Sequence, residues 1–310
     1  MITKQPVNEV FSEYISEKEA LNLSQATIDA YLLQCNLFFK AVGIVTIDDM
    51  TKQNYQKYIS LMIDEQHKKA VSVASYCRSI RAFYYWCMDV GYIDEQFKLR
   101  LPKYEKPVKR IYSETEMQKL LEKPSKDCSE VEFLCWTFAN LCACTGIRLS
   151  SALAIKVCDL EGEWIYIDRT KNRAGLKLHL NKEMQRILRR YISSFHLTED
   201  NFLFSKADGT AYKASSIKKM MNRYNDARGV DTHGIHRYRH TFAALYYQQT
   251  KDVFGLCKLL GHSSVAVTEN YLSSIGTSMI SETNPYNPQE QFTENKNRQR
   301  RRGRMKKGRD

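Results

Sequence analysis

The chain has 310 residues, enough for two domains with separate cores, and 43% of them are hydrophobic. It carries 47 Lys and Arg against 35 Asp and Glu, a net charge of +12 that points to a polyanionic partner such as nucleic acid. No apolar run is long enough to span a bilayer and the first residues lack an apolar signal segment, so a cytoplasmic location without a membrane partner is expected. The nine cysteines form no Cys-x-x-Cys pair and mostly sit among apolar neighbours, so buried, inert thiols and no metal site are expected.

Residues 1–105 read as helices. Val7–Glu17 is a short amphipathic piece. Ser24 caps a helix that runs through Ile28, Tyr31, Leu32, Leu37 and Phe38 and stops at Gly43. Thr51 opens another, with Tyr55, Tyr58, Ile59 and Met62 on one side. The strongest helical pattern spans Val71–Val90 and ends at Gly91; its aromatic stripe, Phe83 to Trp86, reads as core. Arg78 and Arg81 fall on its exposed side and are candidate DNA contacts. Residues 99–112 hold two prolines and five Lys or Arg, the composition of a basic linker.

The second domain opens with a capping box at Ser113–Glu116, and Ser129–Glu132 repeats the pattern. The run Val131–Cys144 is apolar nearly all round, as a central buried helix would be. It delivers Thr145-Gly146-Ile147-Arg148, where glycine ends the helix and the arginine emerges at the edge of a rigid scaffold. Trp164–Ile167 and Leu176–Leu180 read as paired strands, joined by a turn holding Arg169, Lys171 and Arg173. Helix returns over Asn181–Ser194, a short strand is expected at Phe202–Phe204, and Ala214–Asp226 is a basic helix. Its Lys218, Lys219 and Arg223 are further candidate DNA contacts. Residues 272–285 read as one short helix. The last twenty residues hold nine Lys or Arg against two Asp or Glu, more than half of the excess charge, and read as a disordered basic tail.

Between the basic helix and residue 272 lies the stretch that carries chemistry, Thr232–Tyr271. His236 and Arg239 are three apart and so share a helix face; His240 follows, then Leu260-Gly261-His262, then Tyr271 nine residues later. Arginine grips oxyanions through a fork of donors, histidine moves protons and a tyrosine can attack phosphorus. Each feature alone is commonplace, since helical His and Arg are usually solvated and tyrosines are usually packing. Their order and spacing, with Thr145–Arg148 upstream, closely resemble the catalytic boxes of the tyrosine recombinases, the phage-type integrases and Xer-type recombinases.

That resemblance spans about residues 110–275 through motifs and implies a mainly α fold with a small β-sheet, built as a two-domain DNA clamp. Residues 1–105 would form a helical domain that binds the core site, residues 106–285 the catalytic domain, and residues 286–310 the tail. The expected function is site-specific recombination: DNA is cut and rejoined through a 3′-phosphotyrosyl intermediate and a Holliday junction by four protomers, as in the integrase of a mobile element. Arg148 and Arg239 would hold the phosphate, His262 would add a hydrogen bond, Tyr271 would attack, His236 would act as base and Lys171 as acid, with His240 supporting. No cofactor or metal is expected. Double-stranded recombination sites are the expected partners, alongside host DNA-bending or directionality factors. One position departs from the pattern: Ser151 stands where the family usually has an acid three residues after the arginine. Type IB topoisomerase-like strand passage and a noncatalytic DNA-binding regulator are the alternatives.

Overall fold

A computed structural model of the chain describes residues 5–105, 108–167 and 175–275. The chain divides into two compact units, residues 1–106 and 107–310.

The first unit is built on α1 (Val7–Ala20), α2 (Gln25–Val42), α3 (Lys52–Ser60) and α4 (Ala70–Val90). The caps lie where the side chains demand them. Ser24 Oγ accepts from the Thr27 N–H and Thr51 Oγ1 from the Asn54 N–H, while Gly43 and Gly91 end their helices at φ 77° and 90°. The core is aromatic: Phe11, Tyr14, Phe38, Tyr58, Phe83 and Tyr84 are buried, several in edge-to-face pairs. Tyr85 turns outward instead, and its hydroxyl both donates to and accepts from the main chain of Leu99. Leu32 and Leu37 are also exposed, because α2 buries the stripe Ile28, Cys35, Phe38 and Phe39 against its neighbours. Residues 99–105 and 108–112 form no helix or strand, yet Leu99 and Tyr112 are buried.

The second unit contains α5 (Glu114–Leu121), α6 (Glu130–Thr145), α7 (Leu149–Ala154), β1 (Leu160–Glu161), β2 (Trp164–Ile167), β3 (Leu176–His179), α8 (Lys182–Ser194), α9 (Ala214–Ala227), α10 (His236–Thr250), α11 (Val253–Leu260) and α12 (Val265–Ile275). Helix α6 is the hub, buried on nearly every face and packed by α5, α8, α9 and α10. The strands form an antiparallel sheet in the order β1-β2-β3, with Trp164 opposite His179 and Ile167 opposite Leu176. Ile165, Ile167 and Leu178 point into the core, as alternation requires.

The expected motifs differ from the structure in three places. Ser129 caps α6 through the Glu132 N–H, but Glu132 does not complete the box: its carboxylate pairs with Arg228 at 2.9 Å. Residues 202–204 form no strand. Leu203 and Phe204 are buried, but the main chain makes only single bridges, Lys156 with Phe202 and Ser205 with Ala211. Residues 272–275 end α12 and do not open a separate short helix at 272; the expected turn at 168–174, residues 276–285 and the basic tail lie outside the described residues.

All nine cysteines are free, and six are buried; burial pushes thiols such as Cys142 up, out of the reactive range, although Cys158 is exposed. Among the described residues no helix is long and apolar enough to cross a membrane.

Candidate active site

The site lies where α6, α10, α11 and α12 end or begin. Gly146 closes α6 at φ 62°, and a Cβ there would strike the Phe242 ring of α10. This glycine is required twice, by its backbone and by the close approach. Two residues on, Arg148 sits half-buried at the start of α7, and its Nη1 donates to the Leu260 and Gly261 carbonyls at 3.2 and 3.4 Å. Burial lowers its pKa.

Arg239, in the first turn of α10, is only 4% exposed. It donates to the Gly146 carbonyl from Nη1 and to the Leu260 carbonyl from Nη2, both at 2.7 Å, and Nη2 also lies 3.0 Å from His262 Nε2. Burial, and then Arg148, bring its pKa down to about 10. Among the described residues no carboxylate pairs with either arginine; the ion pairs lie elsewhere. A buried cation that meets carbonyls, a histidine and a phenol but no carboxylate among the described residues is poised for an anion.

Gly261 ends α11 at φ 59°, which turns His262 back toward the arginines. The other ring nitrogen of His262, Nδ1, lies 2.9 Å from Oγ1 of the fully buried Thr268. Burial beside Arg239 and Arg148 lowers the imidazole to about 4. Tyr271 projects from α12 with its ring 4.9 Å from that of His240 and 5.5 Å from that of His262. Its hydroxyl is buried and makes no hydrogen bond of good geometry, although Arg239 faces it. Burial pushes the phenol up to about 12, against the pull of Arg239 and Arg148.

His236 is held below its ordinary pKa, chiefly by burial and then by Arg239, Lys218, Lys109 and Arg148. Among the described residues it makes no hydrogen bond or ring contact with Tyr271; the rings beside the phenol are those of His240 and His262. His240 has a buried Nδ1 without a partner and a pKa lowered to about 4, first by burial and then by Lys109.

The structure therefore brings Arg148, Arg239, His262, Tyr271 and His240 together, with His236 on the same helix as Arg239. Lys171 lies outside the described residues. Lys177 packs over the Trp164 ring at 4.0 Å, on the sheet. Lys218, Lys219 and Arg223 are exposed along α9, and Lys218 is close enough to act on His236. In the first unit, Arg78 donates to the Tyr104 hydroxyl at 2.9 Å and Arg81 stacks on Tyr85. Sequence reasoning missed Thr268, a threonine without a local motif, and Lys109, whose Nζ lies 5.2 Å from the centre of the Tyr271 ring. No group of three His, Cys, Asp or Glu among the described residues is arranged to hold a metal.

Residues 110–275 match the phage integrase family, and residues 9–91 match the N-terminal SAM-like domain of phage integrases. The chain therefore belongs to the phage integrase family, the tyrosine recombinases, enzymes that cut and rejoin DNA. It is 25% identical to a tyrosine recombinase XerD of Staphylococcus haemolyticus, over 86% of this chain and 94% of that one. It is 27% identical to a tyrosine recombinase of Agathobacter rectalis, over 80% and 86%. Its fold is similar to that of a lambda integrase dimer bound to a COC′ core site, with a TM-score of 0.69 at 17% identity over 88% of this chain and 79% of that one. It is also similar to XerH bound to a palindromic difH substrate after cleavage, with a TM-score of 0.67 at 19% identity over 83% and 78%.

Proposed function

We propose that this chain is a site-specific recombinase whose second unit cuts DNA by attack of Tyr271 on a phosphodiester. Arg148 and Arg239 hold the nonbridging oxygens and offset the charge of the pentavalent transition state. By the family pattern the phenol proton passes to His236, although the imidazoles beside the ring are those of His240 and His262. The tyrosyl oxygen bonds to phosphorus, the bond to the 5′ oxygen breaks, and Lys171 protonates that oxygen. The products are a 3′-phosphotyrosyl link and a free 5′ hydroxyl, and attack by a second 5′ hydroxyl reverses the step. One observation carries the reading: two guanidinia without a carboxylate partner among the described residues act on one buried phenol, that of Tyr271.

A lambda integrase tetramer bound to a Holliday junction shares this fold, with a TM-score of 0.69 at 17% identity. By that likeness four protomers would exchange strands through such a junction here. The reading extends to the integrase of a mobile element, acting in the bacterial cytoplasm with host DNA-bending or directionality factors. Residues 1–105 would grip the core site through Arg78 and Arg81, the second unit through Lys218, Lys219 and Arg223, and residues 286–310 would add nonspecific affinity.

The test is covalent trapping. The protein and a Tyr271→Phe variant are incubated with labelled duplex from the chain's own locus in EDTA, denatured and resolved on a gel. An adduct in the wild type that vanishes in the variant supports the reading. An adduct that persists moves the nucleophile to another residue. Salt-sensitive binding without any adduct favours the noncatalytic regulator.

A further inference from the structure

We infer that Lys109 is a positioning residue for Tyr271, part of a strap, residues 108–112, that fastens α12 to α10. The inference rests on the reading of Tyr271 as nucleophile. Four contacts carry it. The Lys109 N–H donates to the carbonyl of Ser274, three residues beyond Tyr271 on α12, at 2.7 Å. Lys109 Nζ lies over the Tyr271 ring, 5.2 Å from its centre. Ile111 packs in the small cluster that holds Tyr271 and Leu272 with Ala243 and Ala244 of α10. The Tyr112 N–H donates to Thr241 Oγ1 on α10 at 2.9 Å.

The strap thus has an anchor on each helix. It matters because α12 is lightly held: of its described side chains only Thr268 is buried. A helix with so little buried area takes its orientation from individual tethers. Thr268 supplies one through His262, and the strap supplies another beside the phenol. An ammonium within about 6 Å of a ring centre is attracted to the ring face. That attraction grows when the phenol ionises, because the ring then carries more negative charge. Lys109 is also near enough to His236 and His240 for its charge to hold both imidazoles low.

The rival role for an exposed lysine here is contact with a DNA phosphate. Lys109→Met and Lys109→Arg separate the two. Adduct formation is measured in a single turnover at saturating protein across pH, with Tyr271→Phe as control, and DNA affinity is measured across salt. Positioning predicts that Lys109→Met slows adduct formation about two- to fivefold, the worth of an exposed cation over a ring. The rate should rise at higher pH than in the wild type, the salt slope of binding should be unchanged, and Lys109→Arg should restore the rate. A Met variant with wild-type rate overturns the inference. So does a salt slope smaller by about one, with the rate restored at saturation, which marks a phosphate contact. Loss of melting temperature that Lys109→Arg does not recover marks a merely structural role and also overturns it. If the wild type forms no adduct, or Tyr271→Phe keeps it, the nucleophile reading itself falls, and that result is distinct from the others.

Discussion

Arg239 Nη2 lies 3.0 Å from His262 Nε2, and this contact sets the tautomer of the imidazole. A guanidinium has no acceptor, so Nε2 is the acceptor and Nδ1 carries the proton, which it donates to Thr268 Oγ1 at 2.9 Å. With its pKa lowered to about 4, His262 turns a lone pair toward the arginine near neutral pH. It can donate from Nε2 to a phosphate only after Arg239 turns its hydrogen bonds to the substrate and Nε2 gains a proton, by a change of tautomer or because the anion raises the imidazole pKa.

Thr268 is therefore expected to matter although it touches no substrate. Thr268→Val leaves the Nδ1 proton without a partner in a buried place, a cost of about 1–3 kcal/mol. The rate of adduct formation should fall about tenfold, while Thr268→Ser, which keeps the hydroxyl, should remain near wild type. Equal rates for Val and Ser would show that the tautomer does not depend on this residue.

Arg239→Lys is expected to be nearly as damaging as Arg239→Met. A lysine is a point charge and cannot reach the Gly146 and Leu260 carbonyls together as the fork does. Both variants should lose about 100-fold or more in adduct formation. A lysine variant within about tenfold of wild type would mean that charge alone suffices.

An anion should stabilise the fold through the same pair. Inorganic phosphate at ten times its dissociation constant adds about 1.4 kcal/mol to stability, which raises the melting temperature. Arg148→Ala should remove most of that rise, measured against chloride at equal ionic strength so that general salt effects cancel. An undiminished rise in Arg148→Ala would place the anion elsewhere.

The histidines set a pH dependence. His240 and His262 are both lowered to about 4, mainly by burial, from an ordinary 6.5. As pH falls below about 6.5 the unfolded chain takes up protons that the folded one refuses until about 4, so acid favours unfolding across that window. Their stabilising effect is complete above pH 6.5 and lost as pH falls through 4. Melting temperature should drop over this range, and less steeply in His240→Phe. Because Nδ1 of His240 is buried without a partner, His240→Phe should melt no lower than wild type near pH 7. A clear loss of stability there would mean that the nitrogen has a partner in solution.

Much of this was written in local pattern. Gly43, Gly91 and Gly146 announced three helix ends because each needs a positive φ that other residues resist. The depth of α6 followed from its unbroken apolar run, and the strands from alternation. What local pattern left open was decided by distant partners. Leu32 and Leu37 satisfy a helical period as well as Cys35 and Phe39 do, and only the neighbouring helices choose between the two faces. Phe202–Phe204 reads the same as a strand or as a buried loop. Glu132 left its cap for Arg228, ninety-six residues away. In the site, the boxes told which residues belong together but not that Arg239 would be 4% exposed, since an arginine is exposed by default. The strap at Lys109 lay in a stretch whose composition showed only a linker.

The arginines donate to the last carbonyls of two helices, Gly146 after α6 and Leu260 and Gly261 at the end of α11. Each such end carries about half an elementary negative charge. These half-charges offset part of the two guanidinium charges, while the N-terminus of α10, whose first turn carries Arg239, adds a positive half-charge of its own, so the pocket keeps a net positive charge above about one. A phosphate within a DNA strand carries a single negative charge, which that surplus more than balances. The helix ends thus temper the two guanidinia without neutralising them, and the pocket stays attractive to an anion when the protein stands alone.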